Sequence, residues 1–339
     1  MARNATLDLA RLVAAIGIVL FHSGAPGAAL GYAALPFFMM LLLLLAFDSA
    51  AAQGFVPYAR QRVLRLLGPW LVWSAIYGAF KLTEILVTHK DPASEFAWWM
   101  LATGPALHLW FLPFAFAASL IVWPVARLSP VKDAVPPGGA GFAALVLVFA
   151  ALALAAIGWQ QGPARPIPLA QWLSVLPAVI FGLALGLVRN GRGQNAAGQN
   201  NGNQNNGGQN NGGQNIGNQN RGTIDTGRGL ALLLAAWAVT LAAWALGWGG
   251  TALPFCLAAT LLLLCLAMVT RPGRWSDLAA RTAMGVYLVH PLVTSVLRRI
   301  TTLPDTTLTF FGLTVAGSLA LAVLIWGRRS RPPARPAPA

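Results

Sequence analysis

Charge is scarce in this sequence, and acidic charge most of all. Asp, Glu, Lys and Arg together make up 9% of the 339 residues, against 57% hydrophobic ones. Soluble domains carry roughly 25% charged and 45–50% apolar residues, so this chain cannot clothe its own surface in water. A soluble globular fold is excluded. The net charge of +14 would point to nucleic acid in a soluble protein. Here the basic residues flank apolar blocks, where they orient helices in a bilayer. The expected surface partner is therefore membrane lipid, with no nucleic acid. Cysteine occurs only at Cys256 and Cys265. Nine residues apart on one helix they are turned by about 900° at ~100° per residue, onto opposite faces. An intrachain disulfide is excluded, and the redox compartment is left unread.

What the sequence does have is apolar blocks of about 17–22 residues, the length that crosses a ~30 Å hydrocarbon layer. They predict an all-α, polytopic transmembrane bundle of about ten spans: 7–25, 30–50, 69–88, 107–126, 140–158, 170–188, 229–247, 251–270, 279–298 and 308–327. With both termini cytoplasmic, seventeen of the 23 Lys and Arg fall on the cytoplasmic side, from Arg3 to Arg335. Only Lys90, Arg165, Arg298 and Arg299 fall outside, an asymmetry that sets the orientation. The thirteen Trp read as interfacial belt and packing residues. The chain then divides into a first bundle segment over 1–189 and a second over 228–328. Residues 190–227 between them are rich in Gly, Asn and Gln and predict a disordered cytoplasmic linker. Residues 329–339 predict a disordered Arg/Pro-rich cytoplasmic tail. The first block also has features of a signal peptide: basic Arg3 and Arg11, apolar Leu12 to Phe21, and the small-residue stretch Ala25 to Ala28. Asp8 among the basic residues, and the many spans that follow, favour a retained helix.

Ionisable residues inside the spans carry the chemical information. A charge at bilayer depth costs on the order of 2.5–3.5 kcal/mol by insertion scales, so it faces a cavity or a partner. In the first span Asp8 and Arg11, three apart, meet on one helix face. Arg11 and His22, eleven apart, come within about 20° of alignment, offset by about 16.5 Å along the axis. They line one stripe, with Arg11 near the cytoplasmic end and His22 near the outer end. Asp8 and Arg11 also fit as interfacial anchors, and His22 as a polar end to the helix. Arg60, Arg62 and Arg65 precede the third span, with Arg62 and Arg65 at the spacing of a shared face. They suit either phosphate groups or simple anchoring. Lys81 and Glu84, three apart in the outer half of the third span, can neutralise each other. Together with His108 they place polar groups at the level of His22, as an acceptor site or as interfacial snorkelling residues would. His290 precedes Pro291, and is expected to hydrogen-bond within the bundle where the proline frees a carbonyl.

The opening stretch LDLARLVAAIGIVLFH resembles the first helix of the membrane acyltransferase-3 family, marked by Arg, ten residues, then His, here Arg11 and His22. PFFMM (Pro36 to Met40) resembles that family's second helix, and YARQRVLRLLGPWLVW (Tyr58 to Trp73) its basic segment. HLWFLP (His108 to Pro113) and MGVYLVHPL (Met284 to Leu292) resemble later segments, in order. One departure stands out. Where the family often has Ser-Gly after the Phe-Phe pair, this chain has Leu41-Leu42, so a small-residue close approach is missing or differently built. The resemblance implies a bacterial inner-membrane enzyme that moves an acyl group, often acetyl, to a carbohydrate hydroxyl on surface polysaccharide or lipid-linked glycan. Acyl-CoA, with acetyl-CoA foremost, is the implied co-substrate, and no metal is implied. A sugar hydroxyl needs a base as it attacks a thioester, and a neutral imidazole at His22 is competent. Arg11 stays protonated, and so would hold the donor or stabilise an oxyanion, with Asp8 in support. Arg62 and Arg65 would take the donor's phosphates, and Lys81, Glu84 and His108 the acceptor. Two other readings use the same residues: a transporter or flippase of lipid-linked sugar, and a non-catalytic partner in polysaccharide export.

Overall fold

A computed structural model describes residues 4–127, 139–203, 226–268 and 270–327, with the backbone alone over 190–203 and at 226. Helix is the only regular secondary structure among them. The long helices are α1 (Ala5–Ser23), α2 (Ala34–Ala52), α3 (Phe55–Thr88), α4 (Leu107–Val125) and α5 (Ala140–Gln160). They continue as α6 (Leu169–Asn203), α7 (Thr226–Ala245), α8 (Ala252–Ala267), α9 (Arg274–Ile300) and α10 (Leu308–Trp326). Every expected span therefore has its helix, and the protein is a polytopic helical bundle. Eight of the helices are long and apolar enough to cross a membrane. The two others are α8, of 16 residues, and α9, which carries Arg274, Asp277 and Arg281 in its first turns.

Two boundaries differ from expectation. The third helix starts at Phe55 and not near residue 69, because the basic segment is itself helical and joins the apolar block through a π turn, Val63–Leu67. The helix α6 runs on to Asn203, into the segment expected to be a disordered linker. A helix once nucleated adds one hydrogen bond per residue as it propagates. The rest of that linker, 204–225, and the Arg/Pro-rich tail lie outside the described residues.

The chain divides into two compact units. In the unit spanning 35–268, α2 is apolar on all sides and buried to match: Phe37, Met39, Met40, Leu43 and Leu44 are completely covered, as expected of an all-round hydrophobic helix. The small-residue close approach, expected to be missing or differently built, is made to α2 from the partner helix. A Cβ on Gly182 of α6 would lie 3.1 Å from the Leu43 side chain, and one on Gly186 would lie 2.1 Å from the Phe47 ring. The small residues thus sit on α6 and the large ones on α2, a small-xxx-small contact with its roles reversed.

The far end of α2 is closed by arginines. The last carbonyls of a helix have no donors of their own, and cations favour that end of the dipole. Arg127 donates to Ala50 O (2.7 Å) and Gln53 O (2.5 Å) and lies over the Trp123 ring at 4.0 Å. Arg62 donates to Ser49 Oγ. Arg189 meets both carboxylate oxygens of Asp48 at 3.0 Å.

The second unit, 4–34 and 270–327, holds α1, α9 and α10. Asn4 caps α1 by accepting from Thr6 N (3.0 Å). Ala5 N donates to Thr270 O (3.2 Å), and the Thr6 and Thr270 hydroxyls bond at 2.8 Å. The start of α1 is thereby fastened to the approach to α9. Gly285 of α9 admits Trp326 of α10, which a Cβ there would meet at 2.5 Å.

These contacts predict that Gly186→Val lowers unfolding stability by about 1–3 kcal/mol through overpacking. By contrast Gly312→Val on α10, where a Cβ meets nothing within 4 Å, is expected to change it by less than about 0.5 kcal/mol. Thermal unfolding of the two purified variants in the same detergent measures the difference.

Candidate active site

Helix α1 is unbroken from Ala5 to Ser23, so the expected stripe exists as a regular spacing. Arg11 Nη1 pairs with Asp8 Oδ1 at 3.4 Å, the carboxylate side chain 6% exposed and the guanidinium 31%. This is the pairing read from the sequence. The carboxylate is covered by protein while the arginine keeps an open side.

His22 occupies the last turn, just before Gly24, whose φ of 65° ends the helix and whose N–H donates to Phe21 O (3.3 Å). A second left-handed glycine, Gly27 (φ 88°), turns the chain back, and Gly31 then lies flush against α1. A Cβ on Gly31 would sit 2.2 Å from Gly17 O, so only glycine permits this approach. The return brings Tyr32 against Phe21, ring centroids 4.9 Å apart, and braces the turn that carries His22. The His22 ring is itself exposed.

The structure adds a residue that the sequence reading had placed outside the site. The His22 ring stacks on His290 of α9, with centroids 5.2 Å apart and planes 29° from parallel. His290 is 1% exposed, and its Nδ1 lies 2.8 Å from Tyr287 O. Because a carbonyl can only accept, Nδ1 carries the hydrogen. Pro291 has no N–H to offer the carbonyl four residues back, and that carbonyl is Tyr287's. The expected local bond is therefore present, and the same ring also faces His22. The His-Pro dipeptide could have signalled a fixed ring; its partner in α1 could not be read from any local pattern.

In the other unit, two expected pairings are corrected. Lys81 and Glu84 do not neutralise each other. Lys81 Nζ pairs with Glu95 (3.5 Å), and Lys90 with Glu84 (3.6 Å) and Glu95 (3.5 Å). His89, at φ 54°, ends α3 and reverses the chain. A short helix, Pro92–Glu95, capped by Asp91 accepting from Ala93 N (3.1 Å), then returns Glu95 beside Lys81. Arg62 and Arg65 do not share a surface either. Arg62 is buried, over the Tyr58 ring at 4.9 Å, while Arg65 is exposed. The π turn between them changes the angular step that a regular α-helix would give. His108 is buried edge-on to Tyr77 of α3, centroids 5.0 Å apart. Among the described residues no three His, Cys, Asp or Glu gather as metal ligands do. Cys256 and Cys265 are free and buried.

Apolar helices of spanning length define a multi-pass integral membrane protein. The profile of the acyltransferase-3 family, an acyltransferase domain, matches residues 4–327, and the chain belongs to that family. No curated protein and no solved structure matches it. The protein is thus a membrane acyltransferase, which favours the enzyme over the transporter and the assembly partner.

The Lys81–Glu95 pair is partly exposed, 22% and 29%, and its coupling is expected at about 0.2–1 kcal/mol. A double-mutant cycle of Lys81→Ala and Glu95→Ala, read by unfolding in detergent, should return a coupling of that size.

Proposed function

We propose that this protein transfers an acyl group, acetyl foremost, from cytoplasmic acyl-CoA to a hydroxyl of a cell-surface or lipid-linked carbohydrate, in the bacterial inner membrane. The observation that carries this reading is the first helix: an acyltransferase domain whose opening span carries a paired arginine and, three turns on, an exposed imidazole. His22 accepts the proton of the attacking hydroxyl. The sugar oxygen forms its bond to the thioester carbonyl carbon, the carbon–sulfur bond breaks, and coenzyme A leaves as the thiol after taking a proton.

Arg11, about 16.5 Å from His22 along the axis, is too far away to touch the reacting carbonyl. Its open side suits a carbonyl or phosphate of the donor, whose pantetheine arm would thread towards His22. Asp8 holds Arg11 in place. Of the two arginines ahead of the apolar part of α3, Arg65 is the exposed one and suits the donor's phosphates. Arg62, bound to Ser49 and stacked on Tyr58, orders the end of α2 beneath that site. On the acceptor side, beside His108 in the proposal, Lys81 and Glu84 gain Lys90 and Glu95 as neighbours, alternating charges able to bond sugar hydroxyls.

Replacing a general base costs about 10²–10⁴-fold in rate, so His22→Ala should lose transfer to that extent at normal protein level. Arg11→Ala should chiefly raise the KM for acetyl-CoA, as loss of a binding contact does. Incorporation of radiolabelled acetyl from acetyl-CoA into membrane glycan, with mass spectrometry of the product, measures both. Undiminished acylation in both variants would end the proposal.

A further inference from the structure

We propose that His290 is a positioning residue for acyl transfer: its imidazole, anchored by Tyr287 and Pro291, fixes the ring plane of His22. The inference rests on the reading of His22 as the base. His22 stands in the last turn of its helix, ahead of two left-handed glycines and with its ring exposed. A side chain in such a place has rotamers to choose from, and a base that wanders loses rate. A misplacement of about 1 Å can cost roughly a hundredfold.

His290 has no such freedom. It is 1% exposed, and its Nδ1–H is bound to the Tyr287 carbonyl at 2.8 Å, which Pro291 leaves without a helical donor. Tyr287 is itself buried, so its carbonyl must be answered from within the protein, and the bond holds the ring at one edge. The ring so held lies beside His22, with centroids 5.2 Å apart and planes 29° from parallel.

A ring held in this way narrows the planes that the neighbouring His22 ring can take. Phe21 adds an edge contact at 5.3 Å from the side of α1 itself.

The test uses membranes holding the full-length protein and its glycan, with radiolabelled acetyl-CoA as the probe. His290→Ala is expected to lower the maximal transfer rate about 10- to 100-fold, with the KM for acetyl-CoA within about twofold of wild type. His290→Phe keeps a flat ring but gives up the bond to Tyr287, and is expected to fall between His290→Ala and wild type. The double variant His22→Ala/His290→Ala should be no slower than His22→Ala alone, since His290 acts only through His22. Should His290→Ala fail to accumulate, Pro291→Ala serves instead. It supplies an N–H to the Tyr287 carbonyl, competes with the His290 anchor, and should slow transfer about 3- to 10-fold at unchanged KM. Equal losses in the Ala and Phe variants, a change in KM in place of rate, or a double variant slower than His22→Ala would overturn the assignment. An inactive His22→Ala beside a fully active His290→Ala would remove this inference alone. A fully active His22→Ala would instead remove the base assignment on which it rests.

Discussion

Inside a hydrocarbon layer no water answers a polar group, so each one must find its partner in the protein. That constraint arranges this molecule. The carbonyl that Pro291 leaves open is answered by His290, and the ring that answers it becomes a fixed wall for His22. Asp8 is covered because Arg11 faces it. The bare carbonyls at the end of α2 are answered by Arg127, and the polar side chains beside them by Arg62 and Arg189. In the proposed mechanism structural need and chemical use coincide at His290, whose bond to a backbone oxygen also holds its ring beside His22.

The same constraint explains what could be read in advance. Apolar length and flanking charge predicted where the helices would lie, because spanning a bilayer leaves the backbone few alternatives. The Asp8–Arg11 pair was legible too, since its partners lie one turn apart on a single regular helix. What escaped was everything set by departures from regular helix or by distant chain. The π turn at Val63–Leu67 separates Arg62 from Arg65, and no periodicity argument anticipates an extra residue in a turn. Lys81 was matched to Glu84 on helical spacing, while its partner Glu95 arrives through a chain reversal at His89 and a short capped helix. The close packing of α2 was sought in α2 itself and is supplied by Gly182 and Gly186 of another helix. The stack of His22 on His290 joins helices from opposite ends of the chain.

On the proposed mechanism labour divides along α1, with Arg11 holding the donor at one end and His22 acting as the base at the other. The glycines at 24, 27 and 31 let the chain turn tightly and lie flat against α1, so that the base sits at a braced corner and not on a loose loop. Family membership states that an acyl group is moved; the proposal assigns to this helix the groups that hold it and deprotonate its acceptor.

The most direct measurement of this account is proximity of positions 22 and 290 in intact membranes. With Cys256 and Cys265 replaced by Ser, His22→Cys and His290→Cys can be joined by a short thiol cross-linker and detected as a link between the peptides of α1 and α9. The account predicts efficient linkage of this pair and none when His22→Cys is combined with Trp275→Cys, fifteen residues from His290 on the same helix and so about 22 Å away along its axis. Failure of the 22–290 pair to link, in protein that accumulates and whose two thiols each react with a single maleimide, would contradict it.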